Sequence, residues 1–184
     1  EYIEPKMYKF NNLKERIDFL VENNYYSKDV IGNYTINQIK EINELINKQN
    51  FKFQSYMSAS KFYDGYALKS NDKKYILENY NDKILIVSLA LANGDFDFAK
   101  KLAMKLIKQE FQPATPTFLN AGRARAGEMV SCFLLSIEDS TEGISYAISS
   151  ASHLSKIGGG VALNLTRLRA SGEAIKDIEG ASGG

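Results

Sequence analysis

The chain has 184 residues, enough to bury a sizeable core in one or two domains. Its 23 basic and 22 acidic side chains leave a net charge of +1, which excludes the electrostatic footprint of a nucleic-acid binder. No apolar run reaches the roughly 18 residues of a membrane span and no signal peptide opens the chain; its single cysteine excludes an internal disulfide framework and suits a reducing, cytoplasmic setting.

Residues 1 to 10 show no clear period. Asn12 to Glu22 reads as a helix with Leu13, Ile17, Leu20 and Val21 on one face. Thr35-Ile-Asn-Gln38 has the form of a capping box, opening a helix through Lys48 with Ile36, Ile39, Ile42 and Ile46 inward. Phe51 to Lys69, rich in aromatic residues, reads as a loop and then a helix. Asp72 and Asp82 read as N-caps, the second opening a strongly apolar helix, Ile84 to Ala92, stopped by Asn93-Gly94. Asp95 to Glu110 is amphipathic, with Phe98, Ala99, Leu102, Ala103, Leu106 and Ile107 inward and lysines outside. Residues 1–111 are thus expected to form an N-terminal, all-helical domain.

The patterning changes at Gln112. Met129 to Ile137 is short, almost continuously apolar and bounded by loop residues, the signature of a strand in a buried sheet. A period of two puts Val130, Cys132 and Leu134 on one face and Ser131, Phe133 and Leu135 on the other. Asp139 or Ser140 then caps a helix running to Lys156, with Ile144, Ala147, Ile148, Ala151 and Leu154 in one stripe and Gly158 as a left-handed stop. Val161, Leu163 and Leu165 alternate, so a second strand follows, and the strand–helix–strand unit is long enough for a parallel crossover. Residues 112–184 are expected to be an incomplete α/β region, its last strand left as an open edge. With no initiator Met and a loop-like finish at Ser182-Gly183-Gly184, the chain reads as a fragment.

Residue types alone leave the chemistry open. A lone Cys132 on an apolar strand is by base rate a small buried hydrophobe, although the neighbouring Ser131 and the loop-rich setting also suit a reactive thiol. Gly158-Gly159-Gly160 reads as a helix stop and turn, or as a place where backbone amides approach a nucleotide; it is neither a P-loop nor a dinucleotide fingerprint. Arg167, Arg169 and Lys176 form a solvated face or a phosphate clamp, Asp139 is most simply a cap, and His153 is a surface or interface position rather than a ligand. No spacing typical of a metal-ligand cluster or a catalytic triad is present.

Four motifs in order narrow the choice: Pro116-Thr-Phe-Leu-Asn-Ala-Gly122, Val130-Ser-Cys-Phe-Leu-Leu135, Leu154-Ser-Lys-Ile-Gly-Gly-Gly-Val161 and Leu168-Arg-Ala-Ser-Gly-Glu-Ala-Ile175. With Tyr56-Met-Ser-Ala-Ser-Lys-Phe-Tyr63 and Tyr66-Ala-Leu-Lys-Ser-Asn-Asp72, they closely resemble the large subunit of class I ribonucleotide reductase, nearest to the class Ib type. The resemblance implies a mostly helical α/β chain: an all-α domain followed by the first strands of a ten-stranded α/β barrel. It implies reduction of ribonucleoside diphosphates to deoxyribonucleotides by radical chemistry, under allosteric control by deoxynucleoside triphosphates. By that resemblance Cys132 is a redox-active catalytic thiol that ends in a disulfide with a second cysteine. Thr115, Ser131 and Gly160 contact substrate, and Asp139, Arg169 and Lys176 contact the effector. The helix after Asp139 resembles one that packs across a homodimer interface. No cofactor or metal is implied in this chain; the radical comes from a small subunit with a dinuclear metal centre. The remaining implied partners are the remainder of the large subunit and a thioredoxin- or glutaredoxin-like reductant, with no nucleic acid and no membrane. Two other readings stay open: a non-catalytic nucleotide-binding regulatory module and a helical scaffold.

Overall fold

The computed structural model describes residues 6–125 and 127–184, and the chain divides into two units, Glu1–Met129 and Val130–Gly184. In chain order the first holds β1 (Lys6–Met7), α1 (Leu13–Glu22), α2 (Lys28–Gly32), α3 (Ile36–Lys48), α4 (Tyr56–Gly65), β2 (Tyr75–Ile76), α5 (Tyr80–Ala92), α6 (Phe96–Ile107) and α7 (Thr115–Asn120). The second holds β3 (Cys132–Ser136), α8 (Thr141–Lys156) and β4 (Gly160–Asn164).

In the first unit α5 is the organising element. It is apolar on all sides, so burial on every face is the stable outcome. Ile84, Leu85, Ile86, Val87 and Leu89 are essentially inaccessible, and truncating one to Ala is expected to cost about 2–5 kcal/mol. Packed against it are Ile39, Ile42 and Ile46 of α3 and Ala99, Leu102, Ala103 and Leu106 of α6, the inward positions expected for both helices. Ile36 and Phe98, also expected inside, are 41% and 47% exposed, because each stands in the first turn of its helix beyond the edge of the core.

Capping sets most of the boundaries. The Thr35 box is formed on both sides, with Gln38 N–H donating to the Thr35 hydroxyl and Thr35 N–H to the Gln38 side-chain Oε1. Asp82 is not an N-cap. It is the third residue of a second box whose cap is Asn79, so α5 starts at Tyr80 rather than Ile84. Asp72 caps no helix either; it closes a tight turn, accepting from Ser70 Oγ at 2.5 Å and Lys74 N at 3.1 Å. That turn delivers β2, whose pairing with β1 is parallel. The short β1, α2 and α7 leave too little period in the sequence to be expected from it.

The division falls after Met129 rather than after Phe111. Phe118 and Ala121 of the intervening segment are buried in the helical core. Gly122 lies so close to α5 that a Cβ there would stand 2.4 Å from Ile86 Cγ1, and its φ of +77° favours glycine as well.

The second unit is the expected strand–helix–strand. β3 and β4 are parallel, in register from Cys132 opposite Gly160 to Ser136 opposite Asn164. Ser140, not Asp139, caps α8, and Gly158 adopts φ +91° to end it. Both strands are apolar on both faces and so need cover from both sides, and without that cover Val130 and Leu134 are expected to stand open, as they do. Val130 and Leu134 are 55% and 85% exposed, and the expected α8 stripe buries only Ala147 while Ile144 and Ile148 face solvent. Two strands and one helix offer too little surface to cover a sheet apolar on both faces. Among the described residues no helix is long and apolar enough to cross a membrane.

Candidate functional site

In the second unit the head of β3 carries the only cysteine. Cys132 is exposed, and the Ser131 hydroxyl is 3.6 Å from its sulfur. Gly160 N–H donates to Ser131 O at 2.7 Å, which ties the glycine turn to the residue before the thiol. Ser131, Cys132 and Gly160 are thus brought together by strand pairing. Steric demand is sharper one residue earlier: a Cβ on Gly159 would stand 2.2 Å from the Phe133 ring, whereas one on Gly160 would meet only Ser131 O at 3.4 Å. A side chain at Gly160 would therefore meet far less of the protein than one at Gly159.

At the opposite end of the strands, Asp139 follows β3 and Arg169 follows β4. Arg169 Nε donates to Asp139 Oδ2 at 2.7 Å, and one terminal guanidinium nitrogen donates to Ala174 O at 2.9 Å. Parallel pairing explains this meeting across 30 positions, since it puts the exits of both strands at one end. The two side chains are about one-third exposed and line a cleft of about 290 Å³ with Ser140, Thr141, Ile144, Leu168, Ile175 and residues 182–184. Such a cleft offers a cation for phosphate and a carboxylate for a hydroxyl. Lys176 does not line it; it occupies a left-handed turn between Ile175 and Ile178. Arg167 is exposed, and His153 is a surface residue hydrogen-bonded to Ser149 O of its own helix.

Thr115 belongs to the first unit, at the start of α7. It is exposed, and its hydroxyl is 3.3 Å from Tyr66 Oη. Behind α7 lies a buried ionic cluster that periodicity did not reveal. Glu78, fully inaccessible, accepts from Tyr26 Oη at 2.8 Å, Leu68 N at 3.0 Å and both terminal nitrogens of Arg123 at 2.5 and 3.2 Å; Lys83 Nζ is 3.5 Å away. Burial pushes the Glu78 carboxyl up, but Arg123 and Lys83 outweigh it and hold it below the usual carboxylate range. Burial also lowers Lys83, to about 8, with Glu78 opposing and Arg123 adding to the shift. Lys83 Nζ donates to Leu119 O, Arg123 Nε donates to the same carbonyl, and Arg16 pairs with Asp82 nearby. From the far side, Thr117 Oγ1 donates to Met129 O and Asn120 Nδ2 to Glu128 O, both at 2.8–2.9 Å. The segment leading to the thiol strand is therefore fixed by side chains from α7. Only the apolar-flanked charges at 78, 82 and 83 hinted at any of this in the sequence. No group of three or more metal-ligating His, Cys, Asp or Glu side chains occurs among the described residues.

A helical unit followed by a parallel strand–helix–strand with an exposed thiol at its head matches three family descriptions in succession. These are the ribonucleotide reductase N-terminal region over residues 1–51, the ribonucleotide reductase all-alpha domain over 52–126, and the ribonucleotide reductase barrel domain over 130–184. The chain belongs to the ribonucleotide reductase large-subunit family. Over its whole length it is 55% identical to ribonucleoside-diphosphate reductase subunit alpha of Bacillus subtilis and 50% identical to subunit alpha of Mycoplasma genitalium, covering 26% of each. It is 32% identical to the large subunit of variola virus, of which it covers 22%. The chain thus spans about a quarter of the length of the first two relatives and less of the third.

Proposed function

We propose that this chain contributes part of the substrate pocket and part of the effector site of a ribonucleoside-diphosphate reductase. In that reading Cys132 is one of two thiols oxidised as the 2′-hydroxyl of a ribonucleoside diphosphate leaves as water. Two thiols lose two electrons and two protons, a disulfide forms, and the ribose carbon is reduced. The chain has one sulfur of this kind, so the second cysteine lies in polypeptide outside these 184 residues. The observation that carries the proposal is the exposed Cys132 at the head of β3, beside Ser131 and opposite Gly160. Thr115 and Ser131 bind the substrate's phosphates and ribose, and Gly160 leaves room for it. Asp139 receives the deoxyribose hydroxyl of a deoxynucleoside triphosphate while Arg169 binds its phosphate. Lys176 reaches an outer phosphate, which requires its turn to move toward the cleft.

The partners follow from that chemistry. The remainder of the large subunit covers Val130 and Leu134, and a second copy packs along α8, where Ile144, Tyr146 and Ile148 are exposed. A small subunit with a dinuclear metal centre supplies the radical, and a thioredoxin- or glutaredoxin-like protein re-reduces the disulfide in the cytoplasm. Neither nucleic acid nor a membrane has a role. In the complete subunit, Cys132→Ser is expected to abolish multiple turnover and leave effector affinity intact. Normal turnover in that variant would reduce Cys132 to a packing residue. A regulatory module or scaffold would be favoured instead if effector bound normally and turnover ignored Cys132, Thr115 and Ser131 alike.

A further inference from the structure

Tyr66 belongs to the Tyr66-Ala-Leu-Lys motif, and the proposed chemistry gives that motif no task. Tyr66 follows α4 directly, and its backbone N–H donates to Phe62 O. Its ring packs on Phe118, a core residue 3% exposed, with centroids 5.7 Å apart. Two residues on, Leu68 N donates to the buried Glu78 carboxylate. Tyr66 is therefore anchored through its ring and backbone, while its hydroxyl reaches the exposed Thr115 Oγ1 at 3.3 Å. A closed hydroxyl–hydroxyl bond is shorter, about 2.7–2.8 Å. At 3.3 Å two donors stand at the right separation for one anionic oxygen to sit within hydrogen-bonding distance of both.

Resting on the assignment of Thr115 to substrate phosphate, we propose that Tyr66 is a further substrate-binding residue, its phenol and the Thr115 hydroxyl donating together to one diphosphate oxygen. The acceptor is charged, so each bond is stronger than a neutral one, and a rigid aromatic arm loses little rotamer freedom on binding. Packing of the ring on Phe118, rather than the hydroxyl, secures the residue in the fold. Removing the hydroxyl therefore separates binding from stability.

The test uses the complete large subunit with its small subunit, reductant and effector. Tyr66→Phe is expected to raise KM for a ribonucleoside diphosphate about tenfold or more, with kcat, effector affinity and melting temperature near wild type. Equilibrium binding of the diphosphate to the effector-loaded large subunit alone should weaken by a similar factor. Thr115→Ala separates this proposal from the one it rests on. If Thr115→Ala leaves diphosphate affinity unchanged, the phosphate assignment itself fails. If Thr115→Ala weakens binding and Tyr66→Phe does not, the tyrosine has no contact with substrate. In the Thr115→Ala background, Tyr66→Phe should still weaken binding. Silence there would make Tyr66 only a positioning residue for Thr115 and overturn the direct contact.

Discussion

Replacing Arg123 by Met tests whether the buried cluster around Glu78 holds the helical unit together. Glu78 is fully inaccessible and accepts four hydrogen bonds, two of them from Arg123, whose side chain is 10% exposed. Methionine fills the stem's volume but leaves the carboxylate with Tyr26, the Leu68 amide and Lys83 at 3.5 Å. Removing one partner of a buried ion pair costs about 3–5 kcal/mol, and the remaining lysine puts this case at the low end. Against a domain stability of about 5–15 kcal/mol, that loss is readily measured by urea unfolding followed by circular dichroism. The pH dependence carries the sharper test. In the wild type the folded carboxyl lies below its ordinary value, so the stability it contributes exists above the usual carboxylate range and is lost as pH falls through the folded value. Without Arg123, the partner that lowers it most, the folded value rises from its wild-type position. The folded variant then takes up a proton at higher pH than the folded wild type, so it loses less stability on acidification. The penalty of Arg123→Met should therefore narrow as pH falls through the carboxylate range. A cost below about 1 kcal/mol, or a penalty that grows on acidification, would refute this account of the cluster.

The cleft between Asp139 and Arg169 makes a different demand. Arg169→Ala in the complete subunit should weaken deoxynucleoside triphosphate binding by ten- to a hundredfold, about 1.5–3 kcal/mol for a charge-assisted phosphate contact. Its folding cost should stay within about 1 kcal/mol because the pair is one-third exposed; unchanged effector affinity by calorimetry would remove Arg169 from the site. The glycine turn separates folding from binding in adjacent residues. Gly159→Ala should destabilise the second unit by about 1–3 kcal/mol through its clash with Phe133. Gly160→Ala should fold normally and raise KM for the diphosphate; equal melting temperatures and equal KM for the two variants would contradict the geometry.

Much of the fold was legible because its signals are local. The Thr35 box, the inward Ile39, Ile42 and Ile46, the Asn93-Gly94 stop and the cap at Gly158 each depend on residues within about one turn of one another. The parallel pairing of β3 and β4 followed from two short apolar runs separated by a helix. The motifs around Cys132 and Arg169 also carried the family resemblance without any structure.

Tertiary structure decided what depends on distance through space. Glu78 draws its partners from positions 26, 68, 83 and 123, and no periodicity links them. The misplaced cap at Asp82 has the same origin: an aspartate serves equally well as a cap or as the third residue of a box, and only its pairing with Asn79 and Arg16 distinguishes the two. Tyr66 gains a hydroxyl partner 49 positions away because its ring, at the end of α4, packs on Phe118 of α7. Hydropathy marks Leu134, Ile144 and Ile148 as apolar, yet whether an apolar side chain is covered depends on which surfaces lie against it. In this chain those three remain open to solvent.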